Sequence, residues 1–411
     1  MWKTIILCAI VNLIIAENFR NYKVFRITPT TKAQVELLHQ LSEIHDFTFW
    51  KEPFVNMQAD LMVASHKLSI FNRIMDESKI SYKVFIEDFQ TLIDQTIPVN
   101  QSTSFNFTSY HTLDEIYKNF DDLAEQYPDK VEVVVAGETY EKRQIKGVKV
   151  SFKPDNPGVF IEGGIHANEW ISPATTIYVL HQLLTSNDPD IRELAERHNW
   201  YIFPVFNPDG YVYTHTTDRL WRKTREPHFP MCTGTDLNRN WGYKWNSGGA
   251  SNFSCSEIYA GSGPFSTIEA MTMSNYINSI SNKFYAYIVF HCYAQVLMFP
   301  YAYTTKKIKN YDEMYDIVSK ASASLKKRYG TEYQVGSIAE KAYISSGCTS
   351  DYMTDVLNKI DFVYELRDQG TYGYLLPPEQ IIPTGQETMD SLITLFKEVK
   401  AHGYPKNRIE A

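Results

Sequence analysis

His166 and Glu169 stand three residues apart in Gly163-Gly164-Ile165-His166-Ala167-Asn168-Glu169-Trp170, just after the apolar run Gly158 to Ile161. An imidazole and a carboxylate at that spacing can turn to one side of a single turn and grip a borderline cation such as zinc. The pair alone arises often by chance, so further ligands must come from elsewhere. His291 ends a second apolar run, Tyr285 to Phe290, at the strand edge where α/β sheets present their ligands. A histidine ending a strand also serves plain structure; it reads as the third ligand in company with the other two. Such a set leaves a fourth position for water, as hydrolytic zinc sites require. Glu365 ends Phe362-Val363-Tyr364 in the same way. Its carboxylate is either a general base or the ion-pair partner of nearby Arg367. Arginines gather in Arg219-Leu220-Trp221-Arg222 and in Asn238-Arg239-Asn240. Guanidinium forks match carboxylates, so facing a metal they imply a substrate with a free carboxylate or an oxyanion to hold. Either cluster alone reads as solvated surface.

Something must carry these residues to one place. A chain of 411 residues holds two or three domains at about 100 to 200 residues each. A formal charge of −8 argues against a nucleic-acid partner. Residues 1–16 combine one lysine with an apolar run too short to span a bilayer and end on Ala16, which is the pattern of a cleaved secretory signal; no other segment is a membrane candidate. Its removal takes Cys8 and leaves Cys232, Cys255, Cys292 and Cys348 in an oxidising compartment. Sequons at Asn100, Asn106 and Asn252 fit that compartment.

From Tyr22 to Ile86 the pattern is βαββαβ, with Thr31 and Gln34 as a capping box, a helix to about Ile44 and a second helix from about His66 to Glu77. That order suits a small α+β sandwich of one sheet and two helices, of the ferredoxin-like kind. It holds no catalytic constellation. Residues 87–105 then lose periodicity after a short helix and read as a connector. From about Tyr110 onward, strands at Lys130–Ala136, Lys146–Phe152, Trp200–Val205, Ala286–Phe290 and Asp361–Glu365 alternate with helical patterns. The class expected is α/β, a large mixed sheet with helices on both faces.

The segments GIHANEW, NPDGY, RLWRKTR, TDLNRNW, HCYAQ and YELRDQGTYGYLLP resemble the zinc metallocarboxypeptidases of the pancreatic carboxypeptidase A/B type, and the first domain resembles that family's inhibitory pro-domain. The resemblance implies a signal at 1–16, a pro-domain and connector at 17–98 and a catalytic domain at 99–411. It implies one zinc on His166, Glu169 and His291, with Asp236 orienting His166. Glu365 would activate the attacking water and Arg222 would hold the oxyanion. Asn238, Arg239 and Tyr343 would grasp the terminal carboxylate of a peptide or protein, with Arg219 and Tyr293 along the cleft. Cys232 and Cys255 match a family disulfide; the pairing of Cys292 and Cys348 stays open. Asn168 stands where many relatives have arginine between the first two ligands.

The family reads the last side chain of its substrate at a position that here is Ser350. With Met298, Ala302, Ile338, Ser345, Cys348 and Val363 as the other expected lining, nothing there compensates a buried cation, so neutral C-terminal residues are expected. Pancreatic relatives are activated by trypsin in the connector. Between Lys83 and Lys118 this chain has no lysine or arginine, so another protease is expected to activate it.

Overall fold

The computed structural model describes residues 22–406 except 43, 45, 98–104 and 230. The segment 1–16 and residues 98–104 of the connector, with Asn100, lie outside the described residues.

The first unit is β1 (Lys23–Thr28), α1 (Lys32–Ser42), β2 (Phe47–Lys51), β3 (Ala59–Val63), α2 (Leu68–Ser78) and β4 (Ser81–Ile86). Its sheet runs β2-β3-β1-β4, with β1 antiparallel to both neighbours. The capping box forms at 3.2 Å in both directions between Thr31 and Gln34. α1 stops at Ser42, short of Ile44, and Ser65–Lys67 make a 3-10 turn ahead of α2, where the pattern suggested helix from His66. Phe25, Ile27, Leu38, Leu41 and Phe71 fill the space between sheet and helices. A connector helix, α3 (Phe89–Thr96), is capped by Asp88, whose carboxylate accepts from the Thr91 N–H at 3.1 Å.

The second unit opens with α4 (Leu113–Gln126), begun by a Thr112/Glu115 capping box. Then follow β5 (Val131–Glu138), β6 (Gln144–Ser151), β7 (Gly158–Glu162), α5 (Ile171–Thr185), α6 (Pro189–Glu196), β8 (Asn199–Phe203) and α7 (Pro208–Thr216). A two-residue ladder joins β9 (Pro227–His228) to β10 (Cys232–Thr233). The rest comprises α8 (Ile268–Ser279), β11 (Phe284–His291), β12 (Val296–Phe299), α9 (Tyr311–Tyr329), β13 (Gln334–Ser337), α10 (Ile338–Lys341), α11 (Thr349–Asp355), β14 (Ile360–Glu365) and α12 (Ile381–Ala401).

One eight-stranded sheet runs β13-β12-β14-β11-β7-β8-β6-β5. Its central strands β14, β11, β7 and β8 are mutually parallel, while β12 pairs antiparallel with β14 and β6 with β8. Parallel strands covered on both faces have no polar face, which is why β7 and β8 are buried at every residue. Val159, Ile161, Ala286, Ile288, Phe290, Phe362 and Tyr364 pack on one face together with residues of α5 and α12. Phe160, Tyr287, Val289 and Val363 pack on the other, with residues of α8 and α11. Each such side chain stabilises the fold by about 1.5–3 kcal/mol, so the ends of these strands are among the best anchored points in the molecule.

Candidate active site

The sheet's period of two carries the site. β11 pairs with β14 so that His291 is level with Glu365 and Val289 with Val363, and alternate residues of parallel neighbours share a face. His291 and Glu365 therefore emerge side by side at the carboxyl edge. The turn between β7 and α5 brings His166 and Glu169 to the same edge. Gly164 makes that turn possible: its φ is +61°, and a Cβ there would lie 2.8 Å from the Pro204 carbonyl oxygen. Its N–H donates to Ser172 Oγ at 2.9 Å, and Ser172 donates to the Phe290 carbonyl at 2.5 Å. The turn holding two candidate ligands is thus tied to the strand holding the third.

Ligand atoms of His166, Glu169 and His291 lie within 4.8 Å of one another, and all three residues are buried. Both imidazoles turn Nδ1 toward one carboxylate: His166 to Glu169 Oε1 at 2.7 Å and His291 to Oε2 at 3.0 Å. Burial alone would raise the Glu169 carboxyl, but the two imidazoles hold it well below the usual carboxylate range. On His291 burial acts the other way and Glu169 overrides it, so the imidazole is raised to about 9. The centre of this group favours positive charge, and two nitrogens with one carboxylate oxygen are what a catalytic zinc takes. The residues fit that ion.

Asp236, fully buried, braces the group from behind. Its Oδ1 is 3.2 Å from His166 Nε2 and accepts from the Asn238 N–H at 2.9 Å, while Oδ2 accepts from Arg222 at 2.9 Å. Burial opposes its charge, yet Arg222, Arg239 and His166 hold its carboxyl well below the ordinary value. Arg222 also comes within 3.7 Å of Glu169 Oε1. Asn238 Oδ1 accepts from the Thr349 N–H at 3.1 Å, and its Nδ2 lies 3.2 Å from His291 Nε2. Arg239 donates to the Gly249 and Asn238 carbonyls and to the Tyr343 hydroxyl. Cys232 and Cys255 are disulfide-bonded across the loop containing Asn238 and Arg239; Cys292 and Cys348 are free and buried.

Arg367 pairs with Glu387, Thr331 and Gln380 and not with Glu365. Glu365 faces the cleft with its carboxyl pushed up to about 7, by burial first and by Glu169, while His291 and Arg222 pull it down. Arg219 departs from expectation. It is buried, its two terminal nitrogens donate to the Asn168 and Tyr374 carbonyls at 2.8 and 2.9 Å, and it lies 3.7 Å over the Trp170 ring. With both terminal nitrogens committed to backbone it backs the cleft wall and does not line the cavity.

One cavity contains the metal-ligand group, Arg222, Asn238, Arg239, Tyr293, Tyr343 and Glu365, together with Met298, Ala302, Ile338, Ser345, Cys348, Ser350 and Val363. A zinc carboxypeptidase family profile matches residues 116–391, and a carboxypeptidase activation peptide profile matches residues 25–96. The chain belongs to the zinc carboxypeptidase family. It is a metallocarboxypeptidase made as a zymogen with its own activation peptide, and its family carries one catalytic zinc. Zinc carboxypeptidase A 1 of Anopheles gambiae is 41% identical over 94% of this chain and 91% of that protein. A zinc carboxypeptidase of Simulium vittatum is 49% identical over 72% of this chain and 98% of its own length. The crystal structure of thrombin activatable fibrinolysis inhibitor superposes with a TM-score of 0.85 at 32% identity, covering 93% of this chain and 99% of that one.

The activation peptide also contributes to this zinc carboxypeptidase's cavity, which sequence reading missed. Phe49, Trp50, Lys51 and Glu52, at the end of β2, line it. Asp60 accepts from the Tyr293 hydroxyl at 2.6 Å and forms a fork with Arg26 at 2.7 and 2.8 Å. Phe54 stacks on Tyr343 with ring centroids 4.6 Å apart, and the Trp50 carbonyl accepts from Tyr374 at 2.8 Å. The signal available was a buried acid, Asp60, in an otherwise apolar strand, since such a group needs a partner. Glu257, another cavity residue, carried no pattern that would have marked it.

Proposed function

We propose that residues 1–16 direct secretion, that 17–98 are the inhibitory domain with its connector, and that 99–411 release single neutral residues from peptide C-termini outside the cell. The observation carrying this reading is that Glu365 shares one cavity with the His166, Glu169 and His291 group on one side and the Arg239–Tyr343 pair on the other. Zinc, when bound to His166, Glu169 and His291, supplies Lewis-acid polarisation of the scissile carbonyl and acidifies water. Glu365 takes a proton from the attacking water and returns it to the leaving amine nitrogen. A carboxyl pushed up to about 7 suits both halves of that transfer near neutral pH. Arg222, fixed by Asp236, holds the oxyanion. Asn238, Arg239 and Tyr343 hold the terminal carboxylate, and Tyr293 borders the peptide.

The neutral preference is supported by the lining, in which Met298, Ala302, Ile338, Cys348 and Val363 surround Ser350. Profiling the products of a peptide library with activated protein, with and without a chelator, tests the whole reading. Chelator-sensitive loss of single residues, with Leu or Phe leaving faster than Arg, is expected; internal cleavage or chelator-insensitive release would refute it. Trypsin is expected to activate the zymogen poorly, because 84–117 holds no lysine or arginine. Rapid activation by trypsin with a new N-terminus near residue 100 would overturn that.

Inhibition should also depend on pH. In the docked state burial, reinforced by Glu257, pushes the Glu52 carboxyl up to about 7, against the pull of Arg222 and Arg239. A carboxyl whose value is higher docked than free favours docking below the free value and loses that advantage as pH rises toward 7. The ratio of zymogen to mature activity on a small substrate should therefore climb between about pH 5 and 7, and Glu52→Gln should flatten the climb. An unchanged slope in the variant would remove Glu52 from the account.

A further inference from the structure

The face of β14 that carries Glu365 and Val363 into the cavity carries Asp361 beneath them. At roughly 3.3 Å per residue, Asp361 lies about 7 Å below Val363, on the side of α11, whose Ser350 lines the cavity floor. Asp361 is 1% exposed, and neither of its carboxyl oxygens has a hydrogen-bond partner. The Ser350 hydroxyl, though outside hydrogen-bonding geometry, is near enough to act on it. We propose that Asp361, behind Ser350, is a specificity-determining residue that extends the floor of this pocket into a site for a cationic C-terminal side chain, so that the enzyme releases lysine in addition to neutral residues.

The surroundings favour a cation, and Lys359, the buried lysine two residues earlier in the chain, gives its ammonium to the Ser281 carbonyl at 2.5 Å. Tyr287 is level with Asp361 on β11 and gives its hydroxyl to Glu162. Asp351 accepts backbone N–H groups from Ala302 and Tyr303 at 2.9 Å each. Among the described residues no lysine or arginine forms an ion pair with Glu162, Asp351 or Asp361. Burial, with Glu162 and Asp351 reinforcing it, holds the Asp361 carboxyl far above its usual value against Ser350 and His291. Buried carboxyls are ordinarily hydrogen-bonded or paired, and this one is neither. The walls above it are Met298, Val363 and Cys348, which suit the methylenes of a long side chain, and the serine at 350 is small enough to let its end approach the acid. An ammonium arriving there would give both carboxyl oxygens a partner and would draw the proton from Asp361 to solvent, leaving an ion pair that Glu162 and Asp351, both close enough to act on Asp361, also favour. Judged by position 350 alone, the pocket is neutral; the acid sits one layer deeper.

This inference rests on the assignment of the Ser350 cavity as the side-chain pocket, and the test separates the two. Activated enzyme is assayed for kcat/KM on matched blocked dipeptides ending in leucine, lysine and 6-hydroxynorleucine, the last being an uncharged isostere of lysine. Wild type should release lysine faster than 6-hydroxynorleucine, and Asp361→Asn should lower the lysine-to-leucine ratio by about tenfold or more, the scale expected when a buried polar contact is removed. Equal or slower release of lysine than of its isostere in wild type, a comparison that needs no variant to fold, overturns the proposal. So does an unchanged lysine-to-leucine ratio in folded, zinc-loaded Asp361→Asn. Ser350→Trp, which fills the cavity, should depress leucine and lysine release together. If it leaves leucine release intact the pocket itself is misassigned and the proposal falls with it; if leucine release collapses while the Asp361→Asn ratio stands, Asp361 alone is wrong.

Discussion

Glu365→Gln is expected to retain the fold and the zinc and to lose about 10²- to 10⁴-fold in turnover, the range that a positioned general base contributes. The amide matches the carboxylate in shape, so Val363 and the paired strand β11 are undisturbed. What it lacks is the ability to take a proton from water and hand it on to nitrogen. Glu365 has no ion-pair partner among the described residues, since Arg367 is committed to Glu387; the substitution therefore breaks no salt bridge. The measurement is kcat on a blocked dipeptide alongside zinc content and melting temperature. A zinc-loaded variant turning over within a few-fold of wild type would remove Glu365 from its role.

The strand ends were legible because parallel strands covered on both faces leave long apolar runs, and a polar residue closing such a run stands out. His291 and Glu365 were readable in that way, as were His166 and Glu169 from the turn that follows another run. Their mutual register was not, because pairing of β11 with β14 depends on packing between segments about seventy residues apart. Arg219 misled for a related reason. A guanidinium in a polar segment looks available, and only the fold shows that the Asn168 and Tyr374 carbonyls take its two terminal nitrogens. Asp361 was hidden by its own strand pattern, where it reads as the first residue of a run. The first unit's order of elements was plain from periodicity and capping, whereas its contacts with the cleft required the docked structure.

Arg222→Ala should cost about 10²- to 10³-fold in kcat, the effect of removing one preorganised oxyanion donor, with KM changed far less. Arg222 is held ready by Asp236 at 2.9 Å and stands 3.7 Å from the ligand Glu169, so its charge lies beside the place where negative charge develops. Burial works against that charge, and Asp236, Tyr374 and Glu169 keep the guanidinium protonated. Arg222→Lys should recover only part of the loss, because an ammonium cannot bridge Asp236 and the cavity with one planar fork. Separate determination of kcat and KM decides the matter. A loss confined to KM would mean that Arg222 binds the ground state and does little for the transition state.

Asp236 grips His166 with one oxygen and Arg222 with the other. A metal site and an oxyanion site are usually spoken of as separable parts, yet the candidate ligand His166 and the proposed oxyanion donor Arg222 hang from a single bracket. With His166 holding the zinc as proposed, an ion that prefers longer bonds would press on His166, and the strain would pass to Arg222 through Asp236. Metal substitution in this enzyme is therefore also a geometric perturbation of charge stabilisation, and an altered kcat in a metal-exchanged sample reports on both together.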